Sequence, residues 1–359
     1  MKNTPLHAQH QQLGARMGEF GGWDMPIQYA GILDEHEHTR NHATVFDICH
    51  MGEFELYGKT AVQDLENLLS CNIRSLKIGQ VRYGFMLNEN GGVIDDLTCY
   101  RLDEERYMLV VNAGTAEKDA EWIQNHLSSE TIFVDISADT AKLDIQGPES
   151  RDVLEDVFGC TLPELGYFRF KEFQALEAAT IISRTGYTGE LGYEIYLPND
   201  DAVRLWDKLL AHPYCEPGGL GARDTLRLEM GYALYGHELN DVRSPAEMSR
   251  GMFIDRNKEF IGKDRVMQDL EIPQHLLVGL KFESKRAARE GDTVFSSDQE
   301  IGIVTSGSLA PSLGTAVAMA YVKSDFSNVG KMLDVQIRNK RFPAEIVELP
   351  FYKNGTARS

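Results

Sequence analysis

Residues 81–112 constrain the fold most tightly, because they have the pattern of an antiparallel hairpin followed by a third strand. Two strand-like runs, 81–87 and 93–102, flank the cluster Asn-Glu-Asn-Gly-Gly at 88–92. Asn and Gly tolerate the positive φ angles of a tight turn. A third run, 107–112, is followed by a helical pattern for which Thr115 is the expected N-cap. The segment therefore predicts an antiparallel sheet with a helix after it.

The middle of the chain mixes helical and strand patterns in an irregular order. A helix is expected at 31–43. Strands at 173–186 and 193–198 flank the turn-rich loop between them. Asn199 or Asp200 should then cap an amphipathic helix.

The C-terminal part continues this mixture and ends in strands alone. A further helix should begin near Ala222, and the polar stretches 237–250 and 270–276 have the composition of connectors. The last eighty residues are short strand patterns separated by Gly, Pro and Ser turns, which predicts a small β-barrel. The predicted class is α+β with a terminal β module.

Length and charge limit the classes of function. A chain of 359 residues exceeds the roughly 250 residues of one core, which predicts two or three domains. The formal net charge of −19 repels a phosphate backbone, so no nucleic-acid partner is expected. No apolar run approaches the ~20 residues that span a bilayer, so we expect no membrane partner. Five scattered cysteines and the absence of a signal pattern favour reduced thiols in the cytoplasm.

Two adjacent aspartates interrupt the second strand of the hairpin. Side chains alternate along a strand, so Asp96 should share one face with Thr98 and Tyr100. Asp95 should share the other face with apolar residues such as Val93. Burying a carboxylate costs several kcal/mol unless it is paired. The pattern indicates either a functional carboxylate on the polar face, at Asp96, or a carboxylate near the turn that is satisfied by backbone amides.

Other charged or glycine-rich stretches give no functional site. The segment RTGYTGELG has spaced glycines, but a strand follows it and it lacks Gly-Lys-Ser/Thr, which excludes a phosphate loop. His36, His38 and His42 lie in a charged helical stretch without the H-E-x-x-H order, so a solvated helix face is expected and no metal site. Basic clusters at 285–289 and 338–341 are interpreted as surface turns.

Eight sequence blocks carry a resemblance to a known family. In chain order they are TPLHAQH, GARMGEFGGWDMPIQY, FDICHMGEF, MLNENGGVIDDLTCY, IQGP, SRTGYTGELGYEI, GLGARDTLRLEMGYALYG and IVTSGSLAPSLG. In this order and spacing they resemble the aminomethyltransferases, the T-proteins of the glycine cleavage system, over nearly the whole chain.

The resemblance implies a three-domain cloverleaf fold around a central folate cavity. The expected first domain is discontinuous, comprising 1–50 and 136–245. The second, 51–135, carries the hairpin with the two aspartates. A connector at 246–274 should lead to the barrel at 275–359.

The implied reaction is a one-carbon transfer. The aminomethyl group on the lipoyl arm of the H-protein passes to tetrahydrofolate, the acceptor substrate. The products are 5,10-methylenetetrahydrofolate, ammonia and the dihydrolipoyl carrier. The implied partners are the lipoylated H-protein, bound transiently, and indirectly the P- and L-proteins of the same system. No metal is implied.

The family's essential carboxylate corresponds to Asp96, in agreement with the face argument. An ionised carboxylate beside folate N5 accepts the proton that N5 loses on bonding to the aminomethyl carbon. Glu194 corresponds to the acceptor for the donor edge of the pterin, and Arg223 to a folate-binding arginine. The remaining implied folate-binding residues are Met51, Tyr83, Tyr100, Asn112, Tyr187 and Tyr232.

The residue pattern leaves simpler readings open for two of these positions. Strand alternation alone favours a solvent-facing role for Glu194. Arg223 and Arg227 share a predicted helix face, where a structural ion pair with Asp224 is the alternative.

Two other functions stay open from the sequence. One is a different tetrahydrofolate-dependent member of the superfamily, such as a demethylase or the folate half of a dimethylglycine or sarcosine oxidising enzyme. The other is a folate-binding iron–sulfur assembly factor without transfer activity. The assembly factor's Lys-Gly-Cys motif has no counterpart in GYALYGHEL, which counts against it.

Overall fold

The computed structural model describes residues 1–176, 178–248 and 251–358, and it contains both helices and sheets throughout. The strands are β1 Arg16–Phe20, β2 Trp23–Gln28, β3 Ala43–Asp47, β4 Gly52–Tyr57, β5 Val81–Leu87, β6 Val93–Arg101, β7 Arg106–Val111, β8 Ile132–Asp135, β9 Thr140–Gln146, β10 Phe170–Ala175, β11 Ala178–Ser183, β12 Gly192–Pro198, β13 Cys215–Gly218, β14 His275–Phe282, β15 Thr293–Ser296, β16 Gln299–Ala310, β17 Thr315–Lys323, β18 Met332–Ile337 and β19 Lys340–Val347. The α-helices are α1 His7–Gln12, α2 Ile32–Asn41, α3 Ala61–Leu68, α4 Ala116–Asn125, α5 Ser150–Phe158, α6 Asn199–Leu210, α7 Leu220–Glu229 and α8 Lys263–Glu271.

A six-stranded sheet forms the first layer around the site, in the order β10-β11-β12-β9-β3-β13. Its pairs are antiparallel except for the parallel pair of β3 and β13. Along β9, Ala141, Leu143 and Ile145 pack into a core with apolar residues of α5 and α6. Because side chains alternate, Lys142 and Asp144 lie on the opposite face, and this polar face carries the site.

Two local predictions are wrong, one in this sheet and one in the helix that follows β12. The run 173–186 is not one strand, because β10 and β11 pair as a hairpin that reverses at Leu176, whose φ is +51°. Glu177 lies outside the described residues. The run contains no Gly, Pro, Asn or Asp at the reversal, so the usual turn signal is missing. Neither Asn199 nor Asp200 caps α6, because the helix already begins at Asn199 and Pro198 is its N-cap.

A five-stranded antiparallel sheet, β5-β6-β7-β4-β8, forms the second layer. The predicted hairpin is confirmed, with a turn closed by a hydrogen bond of 2.9 Å from the Asn88 amide to the Gly92 carbonyl. Gly91 has a φ of +74°, which explains a glycine at this position. Helix α4 begins directly after Thr115, which therefore occupies the predicted N-cap position. The Thr115 hydroxyl donates to the Asn112 carbonyl, however, and makes no capping hydrogen bond to the helix.

The C-terminal strands close into a six-stranded barrel, β14-β17-β16-β15-β18-β19, which confirms the predicted α+β class with a terminal barrel. Small residues from β17, Ala316, Ala318 and Ala320, line its core. The basic residues at 285–289 and 338–341 are exposed on the barrel, as predicted; the first cluster lies in a loop, and the second spans a turn and the first two residues of β19.

A shared apolar core joins the five-stranded sheet, α7 and the barrel. It contains Phe85 of β5, Leu228 of α7 and Met319 of β17. The predicted connectors contribute to it as well, through Leu239 and Val266. These segments are therefore packed and not solvated, because their few apolar residues point into the shared core. Residues 249–250 of the first connector lie outside the described residues.

The domain boundaries remain a prediction. Within the described ranges, no helix combines the length and apolar character needed to cross a bilayer.

Candidate active site

The predicted site residues lie mainly between the polar faces of the two large sheets. Tyr100 of β6 and Tyr196 of β12 meet there edge to face, with ring centroids 5.6 Å apart and hydroxyl oxygens 2.9 Å apart. Asp96 and Thr98 share the face of Tyr100, and Glu194 shares the face of Tyr196. The contact between the tyrosines therefore brings β6, which carries Asp96, close to β12, which carries Glu194.

Asp96 is held by two hydrogen-bond donors from the strands that flank β6. The Tyr83 hydroxyl donates to Asp96 Oδ2 at 2.9 Å, and the Asn112 side-chain amide donates to Asp96 Oδ1 at 3.0 Å. Tyr83 lies on β5, and Asn112 follows the last residue of β7. The carboxylate is half-buried, so its position is fixed while an edge stays accessible.

Asp95 points away from Asp96, as the strand period predicts. Its carboxylate accepts the Asn112 backbone N–H at 2.9 Å and the Asn112 side-chain amide at 2.8 Å. The alternative of a carboxylate satisfied by a backbone amide therefore describes Asp95. Val93 does not share this face as expected: a bulge between Met86 and Leu87 shifts the register, and Val93 packs into the shared apolar core.

The surroundings of Asp96 bring the pKa of its carboxyl group close to neutral pH. Burial and the negative charge of Asp95 raise the pKa of Asp96 to about 7, against the opposing hydrogen bonds from Tyr83 and Asn112. A carboxylate with a pKa near the working pH is well suited to accept a proton.

Glu194 lies in the opposite electrostatic setting, and it is not solvent-facing. Only 8% of the residue is exposed. The Thr185 hydroxyl donates to Glu194 Oε2 at 2.6 Å, and Lys142 Nζ is 3.3 Å from Glu194 Oε1. Burial raises the pKa of Glu194, but the charge of Lys142 and the Thr185 hydrogen bond outweigh it and hold the pKa below its ordinary value. Glu194 is therefore ionised at neutral pH.

Lys142 extends this end of the site to Met51 and Glu53. Its ammonium also contacts the Met51 sulfur at 3.5 Å. Glu53 is 1% exposed, and among the described residues neither of its carboxylate oxygens has a hydrogen-bond partner. Burial raises the pKa of Glu53 to about 8, although Lys142 lowers it. One buried cation thus keeps Glu194 charged and leaves Glu53 neutral.

Arg223 and two tyrosines form a third group. Arg223 Nη1 contacts Asp144 Oδ2 at 2.5 Å, and Asp144 is the cross-strand partner of Glu194. The guanidinium lies 5.0 Å from the centre of the Tyr187 ring, which stacks on Tyr232 with centroids 5.7 Å apart. This group offers flat aromatic faces beside a cation.

Arg227 has the structural role that was the alternative for this helix. It is 2% exposed in its side chain, and it contacts Asp224 at 2.8 Å and Glu238 at 3.0 Å. It also donates to the Ser306 hydroxyl of the barrel at 2.9 Å. Arg227 therefore ties α7 to the barrel, whereas Arg223 points to β9.

The glycine-rich loop before β12 supports the site through packing. A Cβ atom at Gly186 or Gly192 would lie 2.2 Å from the Gln146 side chain. Gln146 in turn donates to Asp144 at 2.6 Å. The glycines give Gln146 the room to hold Asp144 against Arg223.

The prediction of a solvated helix face at the histidines is wrong for His36. This side chain is 1% exposed and bonds the hydroxyls of Thr225 at 2.8 Å and Ser312 at 3.0 Å, because α2 packs between α7 and the barrel loop. In the described part of the chain, no group of three His, Cys, Asp or Glu residues is arranged to hold a metal ion.

Two surface clefts reach site residues. One, of about 520 Å³, includes Met51 and Ala113 in its wall. The other, of about 780 Å³, runs along the barrel and includes Tyr232 and Met230. Both neighbourhoods of the site are therefore open to solvent from the surface.

Lys142, Asp144 and Glu53 are site residues that were not predicted from the sequence. Each lies in a strand where charged and apolar residues alternate, the pattern of a half-exposed sheet. A signal was available in AKLDIQ, which places a lysine and an aspartate on one face of a strand, but only the pairing of the sheets shows that this face is covered.

Comparisons with known proteins agree with this architecture. The family model of the GCVT N-terminal domain matches residues 6–258, and the family model of the glycine cleavage T-protein C-terminal barrel domain matches residues 276–353. Aminomethyltransferases from Halothermothrix orenii and Desulforamulus reducens are 41% and 42% identical, over 98% of this chain and 100% and 98% of theirs. The crystal structure of glycine cleavage system aminomethyltransferase T from Bartonella henselae superposes with a TM-score of 0.93 at 37% identity, covering 99% of both chains.

Proposed function

Because the chain belongs to the glycine cleavage T-protein family of aminomethyltransferases, we propose that it moves an aminomethyl group from a lipoylated H-protein to tetrahydrofolate. The products are 5,10-methylenetetrahydrofolate, ammonia and the dihydrolipoyl carrier. The observation that carries the proposal is Asp96, a half-buried carboxylate clamped by Tyr83 and Asn112 with its pKa raised to about 7.

Asp96 is the proposed proton acceptor. In the first step a bond forms between folate N5 and the aminomethyl carbon while the carbon–sulfur bond breaks, and the electron pair leaves on sulfur. The N5 proton passes to Asp96, which can return it to the leaving thiolate. Proton transfer of this kind contributes ~10²–10⁴-fold to the rate.

The second step closes the methylene bridge. Folate N10 attacks the same carbon, the protonated amine leaves as ammonia with the bonding electron pair, and the N10 proton passes to solvent. The negative charge of an ionised Asp96 stabilises the positive charge that develops on the folate nitrogens.

Glu194 is the proposed binding group for the pterin. The ring presents an N3–H and a 2-amino group side by side, and an ionised carboxylate accepts both. Lys142 supports this role, because it keeps Glu194 ionised in a buried place.

The remaining predicted residues are proposed to surround the rest of folate. Tyr187 and Tyr232 supply aromatic faces, and stacking adds ~0.5–1.5 kcal/mol beyond burial. Arg223 stands beside them as the cation for the folate carboxylates. Tyr100 supports Glu194 with its hydroxyl at 3.4 Å, and Met51 lies against Lys142.

Neither alternative function is favoured. The aminomethyltransferase name of relatives that are 41–42% identical over nearly the whole chain supports transfer over demethylation and over folate binding without catalysis. We keep the cytoplasm as the proposed compartment, because all five cysteines carry free thiols.

The test is a reconstituted transfer. The protein is mixed with tetrahydrofolate and an H-protein carrying the aminomethylated lipoyl arm, and ammonia and 5,10-methylenetetrahydrofolate are measured. We expect both products in equal amounts. A parallel reaction replaces the carrier with dimethylglycine, and 5-methyltetrahydrofolate is measured there, because methyl transfer without an oxidant stops at the methyl level. That product, with no product from the carrier, would contradict the proposal and favour a demethylase.

A further inference from the structure

Tyr83 holds the proposed base from the outermost strand of its sheet. Strand β5 lies at one edge of the five-stranded sheet, beside β6, and Tyr83 and Phe85 both point to the face that carries Asp96. Phe85 is the cross-strand partner of Asp96, and the Tyr83 hydroxyl reaches Asp96 Oδ2 diagonally at 2.9 Å. A tyrosine side chain turns about two bonds, so this hydroxyl stays on Asp96 only while the ring is held in place.

Two other aromatic rings pack around Tyr83. The Phe253 ring meets it edge to face, with centroids 4.8 Å apart and planes at 72°. The Phe85 ring is 5.3 Å away at 80°, and the two phenylalanine rings are 6.4 Å apart. These separations and angles are those of favourable edge-to-face contacts. The three rings therefore form one packed group, in which Phe253 is the member that comes from outside the sheet.

Phe253 is fastened to β5 through a single serine. It ends the short 3-10 turn Gly251–Phe253 in the connector before α8. The hydroxyl of Ser70, which is fully buried, donates to the Phe253 carbonyl at 3.2 Å, and the Ser70 carbonyl accepts the Asp255 N–H at 2.8 Å. Ser70 also donates its N–H to the Phe85 carbonyl at 2.9 Å and accepts the Phe85 N–H on its hydroxyl at 3.1 Å. The backbone on both sides of Phe253 is thus fixed relative to β5.

We propose that Phe253 is a positioning residue of the transfer reaction: its ring holds Tyr83 in the orientation in which the phenol donates to Asp96. The inference rests on the proposed function. Phe253 does not touch the reacting atoms and acts through Tyr83. The connector, which was predicted only as a link to the barrel, thereby contributes to the proton-accepting group.

The expected electrostatic effect has a defined sign. Burial and the charge of Asp95 raise the pKa of Asp96, and the hydrogen bond from Tyr83 opposes them. If the Tyr83 ring is free to turn, this bond is lost for part of the time and the pKa of Asp96 rises. Two further titratable groups face Asp96, Tyr187 from the loop before β12 and Tyr235 after α7.

Phe253→Leu in the full chain tests the inference, because leucine removes the ring and keeps an apolar side chain. We expect the acidic limb of the single-turnover rate to move up by roughly half a pH unit, and transfer at pH 7 to slow roughly two- to threefold. The matched control is Phe133→Leu, which removes a comparable ring contact, 5.1 Å from Phe54, at the opposite edge of the same sheet. It should leave the limb where it is in the wild type.

A double-mutant cycle separates positioning from packing alone. In the Tyr83→Phe background there is no hydroxyl to position, so Phe253→Leu should move the limb no further. A shift of equal size in both backgrounds would overturn the proposal, and so would a lower melting temperature in Phe253→Leu with an unchanged limb. If Phe253→Leu does not fold, Phe253→Met, which fills more of the same space, should give the same pattern of shifts.

A second readout does not depend on transfer activity. In ¹³C NMR of protein labelled at the aspartate carboxyl carbons, the signal that disappears in Asp96→Asn belongs to Asp96, and its titration is followed without substrate. Its pKa should be about 7 in the wild type and higher in Phe253→Leu. An equal pKa in the two proteins would refute the inference, whatever their transfer rates. If the pKa rises as expected but the wild type transfers nothing, the effect of Phe253 on Asp96 stands and the proposed function fails.

Discussion

The two ends of the candidate site hold carboxylates whose pKa values are shifted in opposite directions. At the Asp96 end, burial and a second carboxylate raise the pKa to about 7. At the Glu194 end, Lys142 and Arg223 offset burial and the pKa is lowered. One end can therefore exchange a proton at neutral pH, and the other stays charged. The difference teaches that the cation, more than the depth of burial, decides which carboxylate binds and which reacts.

The largest expected effect comes from Asp96→Asn. An amide of the same shape cannot accept the N5 proton, so we expect transfer to slow by roughly 10²–10⁴-fold while the Kd for tetrahydrofolate changes only a few-fold. Single-turnover kinetics and calorimetric titration with tetrahydrofolate measure the two quantities.

Asp103→Asn is the matched control, since Asp103 is an exposed aspartate in the loop after β6. It should behave as the wild type. Full turnover by Asp96→Asn would show that Asp96 is not the proton acceptor, and the difference between the two ends would not be a difference of role.

Glu194→Gln should act on binding. Loss of the charge removes a strong acceptor for the pterin and leaves Lys142 without its carboxylate, so we expect the Kd for tetrahydrofolate to rise roughly 10- to 100-fold. The rate at saturating folate should fall much less. Titration with tetrahydrofolate and the split between kcat and KM provide the measurement.

The double substitution Lys142→Met with Glu194→Gln is the control for an uncompensated buried lysine. It should recover folding stability but not folate affinity. An unchanged Kd with a large loss of kcat would assign Glu194 to the chemistry and break the distinction between the two ends.

Tyr83→Phe should have a smaller effect on transfer than the two substitutions above, through the pKa of Asp96. The Tyr83 hydroxyl stabilises the ionised carboxylate, so its removal should raise the pKa of Asp96 by roughly one unit. The acidic limb of the rate then moves to higher pH, and transfer at pH 7 slows a few-fold. A pH–rate profile checks the shift, and a limb that moves to lower pH would contradict it.

The smallest effect on catalysis is expected for Glu53→Gln, which instead tests the charge balance at the Glu194 end. The pKa of Glu53 is about 8 in the folded protein against 4.5 ordinarily, so the folded state binds the extra proton. Stability from this group is present below about pH 4.5 and is lost as the pH rises toward 8. Urea unfolding from pH 5 to 8 should show the variant gaining stability over the wild type. Parallel curves would mean that Glu53 is not the neutral acid of this site.

Local sequence signals predicted much of the backbone structure around Asp96. The turn at 88–92 follows from Asn and Gly alone, and the strand period places Asp96 and Tyr100 on one face. Family resemblance added Glu194 and Arg223. The bulge at Met86 and Leu87 was missed, because nothing in the sequence marks the extra residue.

The charge balance could not be predicted, because it depends on how the two sheets meet. Lys142 and Glu53 have the pattern of solvated strand residues, and they are buried only because the polar faces of both sheets are in contact. Asp119 has the position of an ordinary acidic residue in a first helical turn. Its full burial arises from the packing of α4 against the five-stranded sheet.

The most direct test of the central claim is the pH dependence of single-turnover transfer between pH 5.5 and 9. If Asp96 accepts the proton, the rate of the wild type rises with pH through a limb near pH 7 and is level above it, and the residual rate of Asp96→Asn lacks the limb. A wild-type rate without a limb between pH 6 and 8, or an Asp96→Asn variant that keeps the same limb, would contradict the account.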